Sequence, residues 1–128
     1  MAQRAIREYH TKQMLAKHWD TFFRGLKTYK AKCILITPNT DLQNLSNSKE
    51  YEWLGLSQLV VKPDQLFGKR GKNNLILANS SIEESMKWIR EKMNQEATVG
   101  GIKGTLTHFL IEEFVPHEEE FYVAIQTE

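Results

Sequence analysis

The sequence has 128 residues, of which 41% are hydrophobic and 26% are charged, and these proportions are typical of one soluble globular domain. Its formal net charge of +1 creates no global field that would draw it toward nucleic acid or a membrane surface. The single cysteine, Cys33, excludes an internal disulfide framework and any metal site built from several cysteines. Neither a run of roughly 18 apolar residues nor a signal-peptide hydrophobic region is present, so we expect a cytoplasmic protein.

The first predicted element is an amphipathic helix over residues 11–23. Its apolar side chains recur at steps of four and three residues, which is the spacing of one helix face. These side chains are Leu15, Trp19 and Phe22. Lys12, Lys17 and Asp20 are predicted to point away from that face.

Three short apolar runs predict strands. They cover residues 33–36, 58–62 and 74–78. A brief helix is predicted between the first two strands and runs through Leu45. Thr40 or Asp41 could cap it, since both side chains carry an oxygen that accepts from a free backbone N–H.

A second long helix is predicted after Ser81. Ser81 and Glu84 have the spacing of a capping box, in which each side chain satisfies a free backbone N–H of the other residue. The helix that follows carries four apolar side chains on one face, namely Ile82, Met86, Ile89 and Met93. We interpret this face as part of the core.

The last part of the chain begins with a glycine-rich segment, residues 98–104, which is predicted to be a mobile connection. Two strand-like runs follow, over residues 107–114 and 120–126. Strands interleaved with helices indicate an α/β or α+β layer fold. The chain stops directly after a predicted strand, which suggests that part of the fold is missing.

Residues 59–72 are the most informative run for function. An apolar strand ends at Lys62, and a loop that contains glycines and cations follows: Gly68, Lys69, Arg70, Gly71 and Lys72. A strand fixes the ammonium in space, glycines allow backbone N–H groups to turn toward an anion, and arginine can make forked contacts with phosphate. Polyphosphate binding is therefore predicted, although the spacing alone fits a solvated hairpin with a basic turn equally well.

Residues 109–123 form a second informative run, because they carry several carboxylates. These could serve a metal ion, acid–base chemistry or ribose hydroxyls, but a charged turn between edge strands explains the same pattern more simply. Glu112 and Glu113 point to opposite faces of a strand, so they cannot act as a paired acid and base.

Together, residues 59–72, 95–100 and 109–123 closely resemble the start of the ATP-citrate lyase family, and residues 5–9 also match the way these chains begin. In that family the region opens the citryl-CoA-synthetase half, which resembles the nucleotide-binding subunit of succinyl-CoA synthetases. The resemblance implies the N-terminal part of an ATP-grasp fold, which is a mixed sheet with flanking helices and an incomplete second half.

Two subdomains follow from this resemblance. Residues 1–106 would form the N-terminal ATP-grasp subdomain. Residues 107–128 would supply the first strands of a truncated second subdomain. Without the rest of that subdomain, we expect the strands at 107–126 to lack sheet partners and to present an unpaired edge.

The resemblance also implies roles for individual residues near the phosphates. Lys62 resembles the ATP-grasp lysine that neutralises the phosphates of the nucleotide. Arg70 and Gly71 fall where the phosphate-covering loop of the family contacts the polyphosphate. Gly68 departs from the pattern because relatives carry a basic residue there, which lowers the charge of the loop.

The nucleoside would be recognised by the later run. The segment from Glu112 through Glu113 to Val115 matches the one whose backbone C=O and N–H groups contact the adenine edge. Glu113 stands where relatives commonly carry proline, a change that recognition through the backbone tolerates. Glu120 resembles the acidic residue that accepts hydrogen bonds from ribose hydroxyls.

The implied reaction uses ATP, citrate and coenzyme A to give acetyl-CoA, oxaloacetate, ADP and phosphate. Mg²⁺ is the implied cofactor, with ligands outside this chain. None of the four histidines matches the histidine that the family phosphorylates, and we assign no catalytic or metal-binding residue within the chain. Citrate and coenzyme A would bind through further domains or subunits of an oligomer, so the isolated chain is expected to be inactive.

Three alternatives stay open from the sequence. A nucleic-acid binder would use Lys69, Arg70 and Lys72 with Tyr122 as a stacking platform, but the near-neutral charge and the acidic run before Phe121 disfavour it. A non-catalytic nucleotide-binding interaction module is the second. A citryl-CoA or succinyl-CoA synthetase-type ligase subunit is the third, since its nucleotide-binding half would look alike.

Overall fold

The computed structural model describes residues 5–25, 28–65 and 74–121. In chain order the helices are α1 (Glu8–Phe22), α2 (Leu42–Leu45), a 3-10 helix (Lys49–Gly55) and α3 (Ile82–Lys92). The strands are β1 (Cys33–Ile36), β2 (Leu59–Pro63), β3 (Leu77–Ser80), β4 (Glu96–Val99), β5 (Ile102–Thr105) and β6 (Phe109–Glu113). No helix within these ranges is long and apolar enough to cross a bilayer.

Four strands form the main sheet in the order β1-β6-β2-β3, and every pairing among them is antiparallel. The last strand, β6, therefore lies in the middle of the sheet, where Glu112 is opposite Cys33 on one side and Val60 on the other. The expectation that the strands at 107–126 lack partners is wrong for β6. The predicted boundary between subdomains at residues 106 and 107 stays a prediction.

The sheet has two different faces because successive side chains of a strand point in opposite directions. We call the side that carries Leu59, Val61, Phe109 and Ile111 the core face, and all four side chains are fully buried. The opposite side we call the cavity face, and its side chains on β2 and β6 are Val60, Lys62, Leu110 and Glu112.

Helix α3 covers the core face. The predicted capping box is present, with the Glu84 N–H donating to Ser81 Oγ and the Ser81 N–H donating to Glu84 Oε2. Ile82 and Ile89 are buried in the core, as their spacing predicted. Trp88 adds an edge-to-face contact with Phe109, with ring centroids 5.8 Å apart.

Helix α1 lies over the cavity face, and the predicted orientation of this helix is wrong. None of its residues is buried, and Leu15 and Phe22 of the expected packing face are 45% and 76% exposed. Glu8 and Lys12 instead point toward the sheet, where they contact Lys62 and Glu112. The orientation of α1 is set by its charged partners, Lys62 on β2 and Glu112 on β6. The spacing of apolar residues along the helix does not reveal these partners.

The segment predicted as a mobile connection is a β-hairpin formed by β4 and β5. Val99 is paired with Ile102 across a two-residue turn. Gly100 and Gly101 occupy this turn with φ angles of 57° and 80°. Positive φ at both central residues is what a tight hairpin turn requires, so these glycines serve the turn.

The remaining predictions vary in accuracy. β1 and the short α2 are confirmed, and Asp41 caps α2 by accepting from the Gln43 N–H. The third strand begins at Leu77 instead of residue 74, where Asn74 has a φ of 55°. The predicted strand at 120–126 begins with two residues that are not in a strand, and its other residues lie outside the described ranges. Together these elements confirm an α+β layer architecture, with an antiparallel sheet in the described part of the chain.

Candidate functional site

A cavity of about 440 Å³ opens on the cavity face of the sheet. It is lined by α1, β2, β3, β6 and the segment that follows β6. Its lining includes each predicted site residue that the structure describes, namely Lys62, Glu112, Glu113, Val115 and Glu120. Arg70 and Gly71 lie outside the described residues. We call this space the β2–β6 cavity.

Four charged side chains meet beside the cavity, and three of them, Lys12, Lys62 and Glu112, line it. The Lys62 Nζ lies 2.6 Å from Glu8 Oε1 and 2.8 Å from Glu112 Oε1. The Lys12 Nζ lies 3.1 Å from the same Glu8 oxygen and donates to Glu112 Oε2. Each lysine thus contacts both carboxylates, and we call Glu8, Lys12, Lys62 and Glu112 the charge ring.

Strand geometry explains how residues far apart in sequence reach the charge ring. Lys62 is opposite Leu110 in the β2–β6 ladder and Glu112 is opposite Val60, so Lys62 and Glu112 share one face of the sheet. Glu8 and Lys12 are one helical turn apart and share one face of α1. The ring forms where these two faces meet.

The charge ring favours the ionised forms of Glu8 and Lys12. Burial by itself would raise the pKa of Glu8, but the hydrogen bond and charge of Lys62, joined by those of Lys12, lower it from 4.5 to about 2. Burial likewise acts to lower the pKa of Lys12, and the hydrogen bond and charge of Glu112 and then Glu8 raise it above 10.5 instead. Both groups are therefore charged at neutral pH.

Asp64 fixes the start of α1 next to the cavity. Its carboxylate accepts hydrogen bonds from the Glu8 N–H at 2.9 Å and the Tyr9 N–H at 3.1 Å. Its carbonyl accepts from Arg7 Nη1 at 2.7 Å, and only 3% of the residue is exposed. The side chain thus caps a helix more than fifty positions away in the sequence. This cap explains why α1 begins at Glu8, before the predicted start at residue 11.

Gln65 continues the same connection on the other side. Its Nε2 donates to the Thr105 carbonyl at 2.9 Å, and its Oε1 accepts from the Thr107 N–H at 2.9 Å. The backbone N–H of Asp64 donates to the His108 carbonyl at 2.8 Å. Lys62, Asp64 and Gln65 therefore join the end of β2 to α1 and to the segment that leads into β6.

The predicted nucleoside segment leaves the sheet after Glu113. Glu112 and Glu113 point to opposite faces, as predicted: Glu112 joins the charge ring, whereas Glu113 Oε1 accepts from Ser57 Oγ at 3.1 Å. The Phe114 N–H donates to the Gln58 carbonyl at 2.8 Å, which extends the pairing with the chain before β2 by one residue. Backbone recognition of a ligand is therefore expected from Val115 onward.

Glu120 is paired with His117 at the rim of the cavity. The His117 Nδ1–H donates to the Val115 carbonyl at 2.9 Å, and Nε2 lies 2.6 Å from Glu120 Oε1. The hydrogen bond to Val115, followed by the contact with Glu120, raises the pKa of His117 above 6.5. Sequence analysis assigned His117 no catalytic role, whereas in the structure it contacts both Val115 and Glu120.

Another cavity, of about 620 Å³, lies where α1 begins and is lined by residues 5–8, His10, Asp64 and Gln65. It contains none of the predicted site residues. The Asp64 carboxylate on its wall is already occupied by the first N–H groups of α1. Within the described part of the chain, no group of three or more His, Cys, Asp or Glu side chains is placed to hold a metal ion.

Comparison with known proteins places the chain in a family. The family model described as the ATP-citrate synthase ATP-grasp domain matches residues 2–128. The chain belongs to this family. The predicted resemblance is thereby confirmed, and so is the assignment of the fold to the N-terminal region of an ATP-grasp domain.

Relatives of the ATP-citrate synthase family are similar over nearly the whole chain. ATP-citrate synthase subunit alpha chain protein 1 of Oryza sativa subsp. japonica is 39% identical over 129 residues, which is 100% of this chain and 30% of that protein. ATP-citrate synthase of Bos taurus is 42% identical over 127 residues, which is 98% of this chain and 11% of that protein.

A solved structure has the same fold. ATP citrate lyase from Methanothrix soehngenii, in complex with citrate and coenzyme A, matches with a TM-score of 0.80 and 45% identity, covering 91% of this chain and 27% of that one. The chain therefore spans less than a third of the length of these relatives.

Proposed function

We propose that the β2–β6 cavity binds ATP, with the phosphates at Lys62 and the nucleoside toward Val115 and Glu120. The observation that carries this proposal is the convergence of the predicted site residues on one cavity. Lys62, Glu112, Glu113, Val115 and Glu120 come from two separate stretches of sequence, yet all of them line it. In this proposal Arg70 and Gly71, which lie outside the described residues, contact the polyphosphate.

The chemistry of the cavity wall supports phosphate binding at Lys62. This side chain is 17% exposed, so its ammonium is partly desolvated and still accessible from the cavity. A lysine fixed at the end of a strand forms a charge-assisted hydrogen bond to phosphate, and partial desolvation strengthens such a bond. Its two carboxylate partners keep it oriented along the cavity face.

The other walls of the cavity suit a nucleoside. Val60, Ile76 and Ala78 supply apolar surface, which is what a planar base requires on its faces. Val115 lines the same cavity, and its backbone can supply polar groups for a base edge. Glu120 supplies a carboxylate that can accept from ribose hydroxyls, once it exchanges its contact with His117 for the ligand.

We infer that the complete protein is an ATP-citrate lyase, which converts ATP, citrate and coenzyme A to acetyl-CoA, oxaloacetate, ADP and phosphate. The family membership of residues 2–128 supports this inference. Mg²⁺ would be held by residues beyond those described here, and citrate and coenzyme A by further domains or subunits of an oligomer. A cytoplasmic location is part of the same proposal. Residues 1–128 alone are not expected to complete the reaction.

The proposal predicts that Lys62→Ala weakens ATP binding in the complete natural polypeptide that carries these residues. The loss should be about 1.5–3 kcal/mol, because a hydrogen bond to a charged group disappears. Titration calorimetry with ATP measures it. Lys103→Ala is the matched control, since Lys103 lies on β5, is 66% exposed and does not line the cavity. An ATP affinity that is the same in Lys62→Ala and Lys103→Ala would contradict the proposal.

A further inference from the structure

Helix α1 contributes two members of the charge ring, Glu8 and Lys12, and sequence analysis assigned a role to neither. Lys12 lines the β2–β6 cavity together with Lys62. Its side chain is 27% exposed, compared with 17% for Lys62. A ligand in the cavity can therefore reach both ammonium groups.

The two lysines have the same partners. Glu8 Oε1 lies 2.6 Å from the Lys62 Nζ and 3.1 Å from the Lys12 Nζ, so one oxygen contacts both cations. Glu112 contacts Lys62 through Oε1 and Lys12 through Oε2. Because the ammonium groups share both carboxylates, they lie close enough together to be contacted by neighbouring phosphate groups of one polyphosphate chain.

The position of Lys12 is also fixed from outside the ring. The Asp64 carboxylate holds the first two N–H groups of α1, and Asp64 lies two residues after Lys62 on the same segment. Helix α1 and strand β2 are therefore joined at a buried residue next to the cavity. This connection places Lys12, in the second turn of the helix, at a defined distance from Lys62.

The formal charges within the ring cancel, since two lysines face two glutamates. A polyphosphate that approaches the ring gains full attraction only when its oxygens replace carboxylate oxygens as partners of the lysines. Removal of one lysine leaves a negative ring that repels phosphate. Neutralisation of one glutamate leaves a positive ring that attracts it.

We propose that Lys12 is a second phosphate-binding residue beside Lys62, and that Glu8 limits polyphosphate affinity by competing with phosphate for both lysines. This inference rests on the proposed function, because it takes a nucleoside triphosphate as the ligand of the cavity. It assigns α1 to the binding site and gives its two charged residues opposite effects on affinity.

The test compares ATP with adenosine, which lacks phosphate, in the complete natural polypeptide. Lys12→Met keeps the length of the side chain and should weaken ATP binding about tenfold, while adenosine affinity stays the same. Glu8→Gln keeps the shape of the side chain and should strengthen ATP binding roughly threefold. The double variant should return to near the original ATP affinity. Lys17→Met, an exposed lysine on the same helix, is the control and should change neither affinity.

The opposite signs separate a direct role from a structural one. If the ring only holds α1 in place, Lys12→Met and Glu8→Gln should both weaken the binding of ATP and also the binding of adenosine. That result would overturn the inference. Lys12→Arg retains the charge and should bind ATP within about twofold of the original protein. If Lys12→Met failed to fold, Glu8→Gln and Lys12→Arg would still decide the question.

The Lys62 and Lys12 variants together distinguish a failure of this inference from a failure of the proposed function. If Lys62→Ala weakens ATP binding while Lys12→Met does not, ATP occupies the cavity and Lys12 is not a phosphate ligand. If neither variant changes ATP affinity, the nucleotide binds elsewhere and both proposals are wrong.

Discussion

The two faces of the four-stranded sheet are built from the same strands and have opposite properties. On the core face, Leu59, Val61 and Phe109 are fully buried against α3 and its neighbours. On the cavity face, the alternate positions Lys62 and Glu112 carry charges that contact α1. The period of two in a strand thus places the apolar contacts with α3 on one face and the charged residues of the candidate site on the other. Substitutions on one face should therefore have effects that substitutions on the other face do not.

The largest effect on stability is expected from a substitution on the core face. Phe109→Ala should lower the free energy of unfolding by about 3–5 kcal/mol, because it removes a fully buried ring and leaves a cavity beside Trp88. Urea denaturation followed by tryptophan fluorescence measures the change. Phe121→Ala is the matched control, since that ring is 84% exposed and should change stability by less than about 0.5 kcal/mol. Equal losses in the two variants would contradict the assignment of the core face.

An intermediate effect is expected at Asp64, which joins the end of β2 to the start of α1. Asp64→Ala removes the acceptor for the first N–H groups of α1 and should lower the free energy of unfolding by about 1–2 kcal/mol. Circular dichroism should also show weakened helicity, because α1 frays from its N-terminus. Asp20→Ala, on the exposed side of the same helix, provides the control. A stable Asp64→Ala protein with unchanged helicity would mean that α1 does not depend on this cap.

The smallest expected effect concerns the cavity face and depends on pH. The pKa of Glu8 is lowered from 4.5 to about 2, so its contribution to stability is present above pH 4.5 and is lost as the pH falls toward 2. The contribution should be about 1 kcal/mol, less than the shift alone implies, because the side chain is partly solvated. Denaturation of the original protein and of Glu8→Gln at pH 7 and pH 3 measures it. The free energies of unfolding of the two proteins should converge as the pH falls. A difference that stays constant with pH would contradict the lowered pKa of Glu8.

Much of the fold and of the site follows from local sequence signals. The apolar run before Lys62 predicted β2, and the spacing of Ser81 and Glu84 predicted the start of α3. Alternation along β6 predicted that Glu112 and Glu113 point to opposite faces. Each of these signals depends only on residues that lie a few positions apart in the sequence.

The features that were predicted wrongly or missed depend on distant partners or on backbone conformation. Lys12 points to the sheet because of Glu112, which is 100 positions away, and Asp64 caps a helix 56 positions before it. No local pattern contains these pairings. The hairpin of β4 and β5 was mistaken for a mobile connection because Gly100 and Gly101 suggest flexibility in a sequence, whereas their positive φ angles serve a defined turn.

ATP is proposed to bind on the cavity face, with its phosphates at Lys62. A crystal structure of the complete polypeptide with a non-hydrolysable ATP analogue tests it most directly. We predict phosphate oxygens within about 3 Å of the Lys62 Nζ, a charge-assisted contact, and the base beside Val115. A nucleotide bound instead in the cavity beside His10 and Asp64, with Lys62 still held by Glu8 and Glu112, would contradict the account.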